Sequence, residues 1–168
     1  FVLEANNGTL FHLRKFLSYH PENRFKDHSI EIYKKNTLLS VFPAADLIIN
    51  DKKMLISHPG SSYGSFVSKK ELSIKDAVEM VSKLIDYSIK KGFDGIQLTI
   101  PPGFHSNRAS NYIEYSLLVN GFDYLRRDVT SILTIESSED EILNKFKPSH
   151  QRALRKSKKS GVTTKLTN

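Results

Sequence analysis

Cysteine is absent from all 168 residues. That absence removes disulfides, thiolate metal sites and cysteine nucleophiles together. It also points to a cytoplasmic protein, because small secreted domains often lean on bridges. Long apolar runs are missing as well. No stretch approaches the roughly 20 residues a membrane span needs, and Phe1-Val-Leu-Glu-Ala is too short, and lacks the basic flank, to be a signal peptide. The chain does not begin with Met, so we expect a piece of something longer. There is no internal repeat and no low-complexity linker. The histidines stand at 12, 20, 28, 58, 105 and 150. None has a partner at a metal-ligand spacing such as H-E-x-x-H, so no metal site is expected. A phosphate loop of the G-x-x-x-x-G-K-[ST] type is absent too.

Acidic residues are missing from one region only. From Ile142 onward the chain carries eight Lys or Arg (145, 147, 152, 155, 156, 158, 159, 165) and no Asp or Glu. The whole chain has 25 basic and 18 acidic residues, which leaves 17 against 18 for the first 141. The body is therefore neutral, and the overall charge of +7 describes a single segment. A block of this kind implies an anionic partner or a solvated face. Apolar content of 39% is that of an ordinary globular protein, and the length suits one domain with a core, or one and a fraction.

Periodicity gives an α/β order. Leu10, Leu13 and Leu17 suggest a short amphipathic helix ending before Pro21. Three β-prone runs follow, at 29–33, 38–49 and 54–57, separated by polar breaks, and an antiparallel meander is the simplest reading. Pro43 inside the second run suggests an edge position or a bulge. Residues 74–91 form the strongest helix, with apolar residues at 74, 77, 78, 81, 84, 85 and 89 on one face. Ser73 with Asp76 marks its start and Gly92 its stop. Residues 93–100 read as a buried strand, central in the sheet and closed by Pro101-Pro102-Gly103. A helix at 111–119, a long strand at 124–135 and a helix opened by Ser138 with Glu141 complete the order. Pro148 interrupts that last helix. The pattern is a mixed sheet flanked by helices, with a first domain at 1–136 and a basic connecting helix at 137–168.

Gly60-Ser61-Ser62-Tyr63-Gly64 formally matches the G-x-S-x-G nucleophile elbow. That motif needs a helix directly after the serine, and the next helix starts only at Ser73. A glycine-rich turn is the better reading, one that can still line a site because Gly60 and Gly64 let backbone come close to a ligand. His58, beside Pro59 and this turn, is the histidine of interest; a structural role is the plainer alternative. In the basic segment, Arg152, Arg155, Lys156 and Lys159 are spaced i, i+3, i+4, i+7 and share one helical face. Four like charges there repel by a few tenths of a kcal/mol per pair. A phosphate- or carboxylate-bearing substrate would offset that, as would plain solvent. The interleaved aromatics of a nucleic-acid site are missing.

Three segments carry a family resemblance: Ser57-His-Pro-Gly-Ser-Ser-Tyr-Gly-Ser-Phe-Val67, Asn111-Tyr-Ile-Glu-Tyr-Ser-Leu-Leu-Val-Asn-Gly-Phe122 and Arg152-Ala-Leu-Arg-Lys-Ser-Lys-Lys-Ser-Gly-Val162. In their order and spacing they resemble the first half of Fem-like acyltransferases, tandem proteins of the GNAT superfamily related to the peptidoglycan-bridge aminoacyltransferases. The resemblance implies a GNAT-like (acyl-CoA N-acyltransferase-like) mixed sheet and a second GNAT-like domain in the same chain. It also implies transfer of an acyl or aminoacyl group to an amine of a cell-envelope precursor. The first domain would mainly shape the acceptor cleft, with His58, Gly60, Tyr63, Gly64, Arg152, Arg155, Lys156 and Lys159 on the substrate. The donor, acyl-CoA or aminoacyl-tRNA, would sit on the second domain, and tRNA is the one nucleic acid the family could bring. The superfamily's Q/R-x-x-G-x-G/A loop is absent, and the turn at 59–64 stands roughly in its place. No cofactor is therefore expected on this part, and no catalytic base stands out. The alternative is a non-catalytic GNAT-like module that grips an anionic partner through its basic helix.

Overall fold

Pro43 decides the layout of the sheets. A proline donates nothing to a ladder, and the apolar run at 38–49 breaks there into two strands that join different sheets. The computed structural model describes residues 1–165. In chain order its regular elements are α1 (Arg14–Leu17), β1 (Lys26–Asp27), β2 (Ile30–Lys34), β3 (Thr37–Phe42), β4 (Ala45–Ile49), β5 (Lys52–Ser57), β6 (Val67–Ser68), α2 (Ile74–Lys90), β7 (Gly95–Leu98), α3 (Tyr112–Val119), α4 (Glu139–Asn144) and α5 (Pro148–Lys159). One sheet is mixed, in the order β1-β4-β5-β7; the other is antiparallel, in the order β2-β3-β6. The architecture is mixed α/β, with helices flanking a mixed sheet.

The hairpins follow from their turns. Asn50 and Asp51, between β4 and β5, both hold positive φ, at 49° and 61°. A type I′ turn needs this geometry, and Asn and Asp tolerate it. β5 then runs antiparallel to β4 and parallel to β7, with Leu55 opposite Asp46 on one side and Ile96 on the other. The parallel pair requires a crossover, and α2 supplies it. Its start is fixed by the Ser73 hydroxyl, which accepts the Asp76 amide at 3.1 Å. At its end Gly92 turns left-handed at φ 69°, and the Phe93 amide reaches back to the Ser88 carbonyl. Ala77, Met80, Val81 and Leu84 face inward and pack with Phe42, Leu55, Phe66 and Leu117 into the core.

Three expectations are corrected. The segment at 10–17 is a 3-10 turn, Leu10–His12, followed by the single turn α1, because extended backbone at Leu13 separates them. The strand expected at 93–100 shortens to β7 and lies at an edge of its sheet, not at the centre. Beyond it the Thr99 carbonyl turns to the Gly64 amide, which ends the ladder. Residues 124–135 form no strand; Val129 is 97% exposed and Ile135 81%, so the apolar alternation there has no ladder partner.

The described residues divide into two compact units, Phe1–Arg127 and one beginning at Asp128. The second holds α4 and α5. The Ser138 hydroxyl caps α4 through the Glu141 amide, and Pro148 occupies the start of α5, where its missing N–H costs nothing. The Gln151 side-chain amide donates to the Leu143 and Phe146 carbonyls, each at 3.0 Å, and so fastens α5 to the end of α4. Among the described residues, no helix is long and apolar enough to cross a membrane.

Candidate functional site

The carboxyl ends of β5 and β7 point the same way because the two strands are parallel. In open α/β sheets this is the edge at which ligands bind. The turn at 58–64 leaves β5 there, and residues 99–105 leave β7 beside it. Two contacts join them: the Gly64 amide donates to the Thr99 carbonyl at 2.9 Å, and the Tyr63 and His105 rings lie 5.4 Å apart. His58, Gly60, Tyr63 and Gly64 thus lie in one loop at the carboxyl end of β5.

Three histidines fasten that loop. The His12 Nδ1 accepts the Thr9 amide at 3.0 Å, so its Nε2 carries the proton and donates to the Gly64 carbonyl at 2.9 Å. Burial holds the His12 pKa below its ordinary value of 6.5, against the pull of the Gly64 carbonyl. His58 has the opposite tautomer: its Nδ1 donates to the Pro59 carbonyl at 2.8 Å, leaving Nε2 as an acceptor. Its pKa is also lowered, chiefly by burial, with the Pro59 carbonyl and Asp27 pulling it up and His20 and Arg14 pushing it down. The His20 ring stacks on His58 with centroids 6.4 Å apart, and Phe25 meets both edge-on. Both His20 ring nitrogens are buried without a hydrogen-bond partner.

The two glycines serve close packing inside the protein. A Cβ on Gly60, at φ 74°, would stand 2.3 Å from the His20 ring. One on Gly64 would stand 2.1 Å from the Ser57 carbonyl oxygen and 2.4 Å from the His58 nitrogen. Two of the turn's amides are also spent internally, Ser61 on the His58 carbonyl and Gly64 on the Thr99 carbonyl, and the Ser65 amide beyond it donates to the Ser57 hydroxyl. Such a turn does not fit a pyrophosphate, which needs outward amides and open space beside them. The close approach expected of these glycines is to neighbouring protein atoms. Ser62 is exposed, and α2 begins well beyond it, so the strand-turn-helix context of a nucleophile elbow is missing.

Arg152, Arg155, Lys156 and Lys159 lie on α5 in the second unit, and all four are exposed. Arg155, Lys156 and Lys159 have no carboxylate partner among the described residues, whereas Lys158 pairs with Glu139. The opposite face, with Gln151, Leu154 and Ser157, is half-buried.

Sequence reasoning did not mark a crevice at the same sheet edge, which Ser65, Lys69, Lys70 and Arg108 help to line. Its volume is near 110 Å³. The residues come from three separated segments with no shared motif. Only the adjacent lysines give a signal, and a lysine pair is common on any surface.

No protein-family model and no curated protein matches the chain. Two solved structures resemble it, the wild type and a single-residue mutant of TTHA1254 from Thermus thermophilus. Identity is 13% and 12%, coverage is 66% and 67% of this chain and 73% and 75% of theirs, and the TM-score is 0.42 for both. A likeness this loose carries no argument about function.

Proposed function

We propose that this chain is the N-terminal, GNAT-like part of a Fem-like acyltransferase. The enzyme transfers an acyl or aminoacyl group to an amine of a peptidoglycan or polysaccharide precursor. The observation that carries this reading is the turn at 58–64. It lies at the carboxyl ends of β5 and β7, yet the space beside Gly60 and Gly64 and the Ser61 and Gly64 amides are taken up by the protein itself. It is a rigid wall and not a donor cradle, as suits a half that shapes the acceptor cleft and leaves the donor to another domain. The three resembling segments and the mixed α/β architecture support the same reading.

In that reaction the acceptor amine attacks the donor carbonyl carbon. The new C–N bond replaces a thioester C–S or ester C–O bond, and the amine proton passes to a base. His58 Nε2 is free to accept a hydrogen bond from a substrate N–H or O–H, and Tyr63 flanks it on the turn. Arg152, Arg155, Lys156 and Lys159 hold acidic groups of the acceptor, with Arg suited to two-pronged capture and Lys to point charge. The test supplies the full-length protein with labelled acyl-CoA or aminoacyl-tRNA and a peptidoglycan or polysaccharide precursor. Label on the precursor's amine is expected. Folded protein that labels neither precursor from either donor overturns the reading.

The unpaired cations of α5 also favour a second reading, a non-catalytic module that grips an anionic partner. That module would bind the precursor and transfer nothing.

A further inference from the structure

The crevice beside Ser65 has walls that the sequence pins in place. Asn6 holds one: its side-chain amide donates to the Arg108 carbonyl at 3.0 Å, and its side-chain oxygen accepts the Arg108 amide at 2.7 Å. Asn7 holds the other, donating to the Phe66 carbonyl at 2.7 Å and accepting the Ser68 amide at 2.9 Å. Paired asparagines thus lock both sides at a fixed separation. The start of α3 closes the crevice. Its first amides, Tyr112 to Glu114, have no partner within the helix, and Asn111 makes no side-chain cap.

The charged side chains along it are three cations and one acid. Ser65 is 1% exposed, and its hydroxyl is buried with no partner, a position that costs free energy unless something supplies the missing bond. Lys69, Lys70 and Arg108 line the crevice and form no ion pair among the described residues. Glu114 is the one acid in the lining. Its carboxylate is engaged by the Tyr124 hydroxyl and lies 3.8 Å from Arg127.

We propose that this crevice binds the phosphate group of a small ligand. Three cations, of which Lys70 and Arg108 are exposed, a helix start with free amides and an unsatisfied hydroxyl line one crevice braced by asparagine bridges. A dianion gains more from that set than a monoanionic carboxylate does. Its lining includes no residue of α5 or of the turn at 58–64, and the proposal stands whether or not the chain takes part in acyl transfer.

The test titrates the isotope-labelled chain with inorganic phosphate at constant ionic strength and follows backbone amides by NMR. Saturable shifts are expected at Ser65 and at Tyr112, Ile113 and Glu114, with acetate producing at most a small fraction of them. The double variant Lys69→Gln/Lys70→Gln, with dispersed spectra confirming its fold, should weaken phosphate at least fivefold. Lys83→Gln, on the exposed side of α2, should leave it unchanged. Shifts that are absent or never saturate, acetate matching phosphate, or a double variant that binds as the wild type does would each overturn the proposal.

Discussion

His12 and His58 are held neutral by burial, and this fixes a pH response. Both have folded pKa values below the ordinary 6.5. Above that value each is neutral in folded and unfolded chains alike, so neither affects stability. As pH falls below it, the unfolded chain takes up protons that the folded chain refuses, and stability drops until the lowered folded values are reached. Melting temperatures recorded from pH 7.5 to 5 should fall, and His12→Gln should fall less steeply, whatever its stability at pH 7.5. An unchanged slope would show that His12 charges freely in the folded state. Glycine substitutions give a second test at this scale. Gly92, at φ 69° with nothing near its missing Cβ, should lose only the left-handed strain, about 1–2 kcal/mol, on change to Ala. Gly64→Ala meets backbone at Ser57 and His58 and should cost about 3 kcal/mol or more. Urea denaturation of the two variants checks the order.

Among the elements, α2 was the most legible in the sequence and the region after α3 the least. The Ser73 cap and the Gly92 stop are local signals and act as their spacing implies; of the apolar stripe Ala77, Val81 and Leu84 are buried, while its ends, Ile74 and Ile89, are exposed. Strand pairing is not local. Residues 38–49 carry enough β-prone side chains for one long strand, and only Pro43 hints that β3 and β4 part company. Residues 124–135 have strand-like composition but form no strand, because composition names no partner edge. The candidate turn was legible as a place, from its glycines. Its job was not, because what fills the space beside Gly60 is His20, forty residues away. The crevice at Ser65 was not legible, since Asn6, Lys69 and Arg108 meet only through the fold. Val81 is fully buried on α2, so Val81→Asp should cost about 3–5 kcal/mol through an unpaired buried charge. The exposed Lys83→Asp control should change stability little. Thermal melting that barely moves for Val81→Asp would contradict the packing of α2.

For the whole molecule, charge is the organising fact: a neutral first 141 residues, then eight cations without an acid. The turn at 58–64 has protein atoms packed against both of its glycines and leaves no open cradle beside them. Calorimetric titration of this chain with acetyl-CoA should therefore show no micromolar binding; such binding would move the donor site into this part of the protein. The central claim is that the cations of α5 hold acidic groups of the acceptor. It is tested most directly by measuring acceptor-precursor affinity of the full-length protein and of Arg152→Ala, Arg155→Ala, Lys156→Ala and Lys159→Ala. Losing a charged hydrogen bond at Arg155 should weaken binding by about 1.5–3 kcal/mol, roughly tenfold to 150-fold. Affinity unchanged in all four variants would contradict the account and leave that face to solvent.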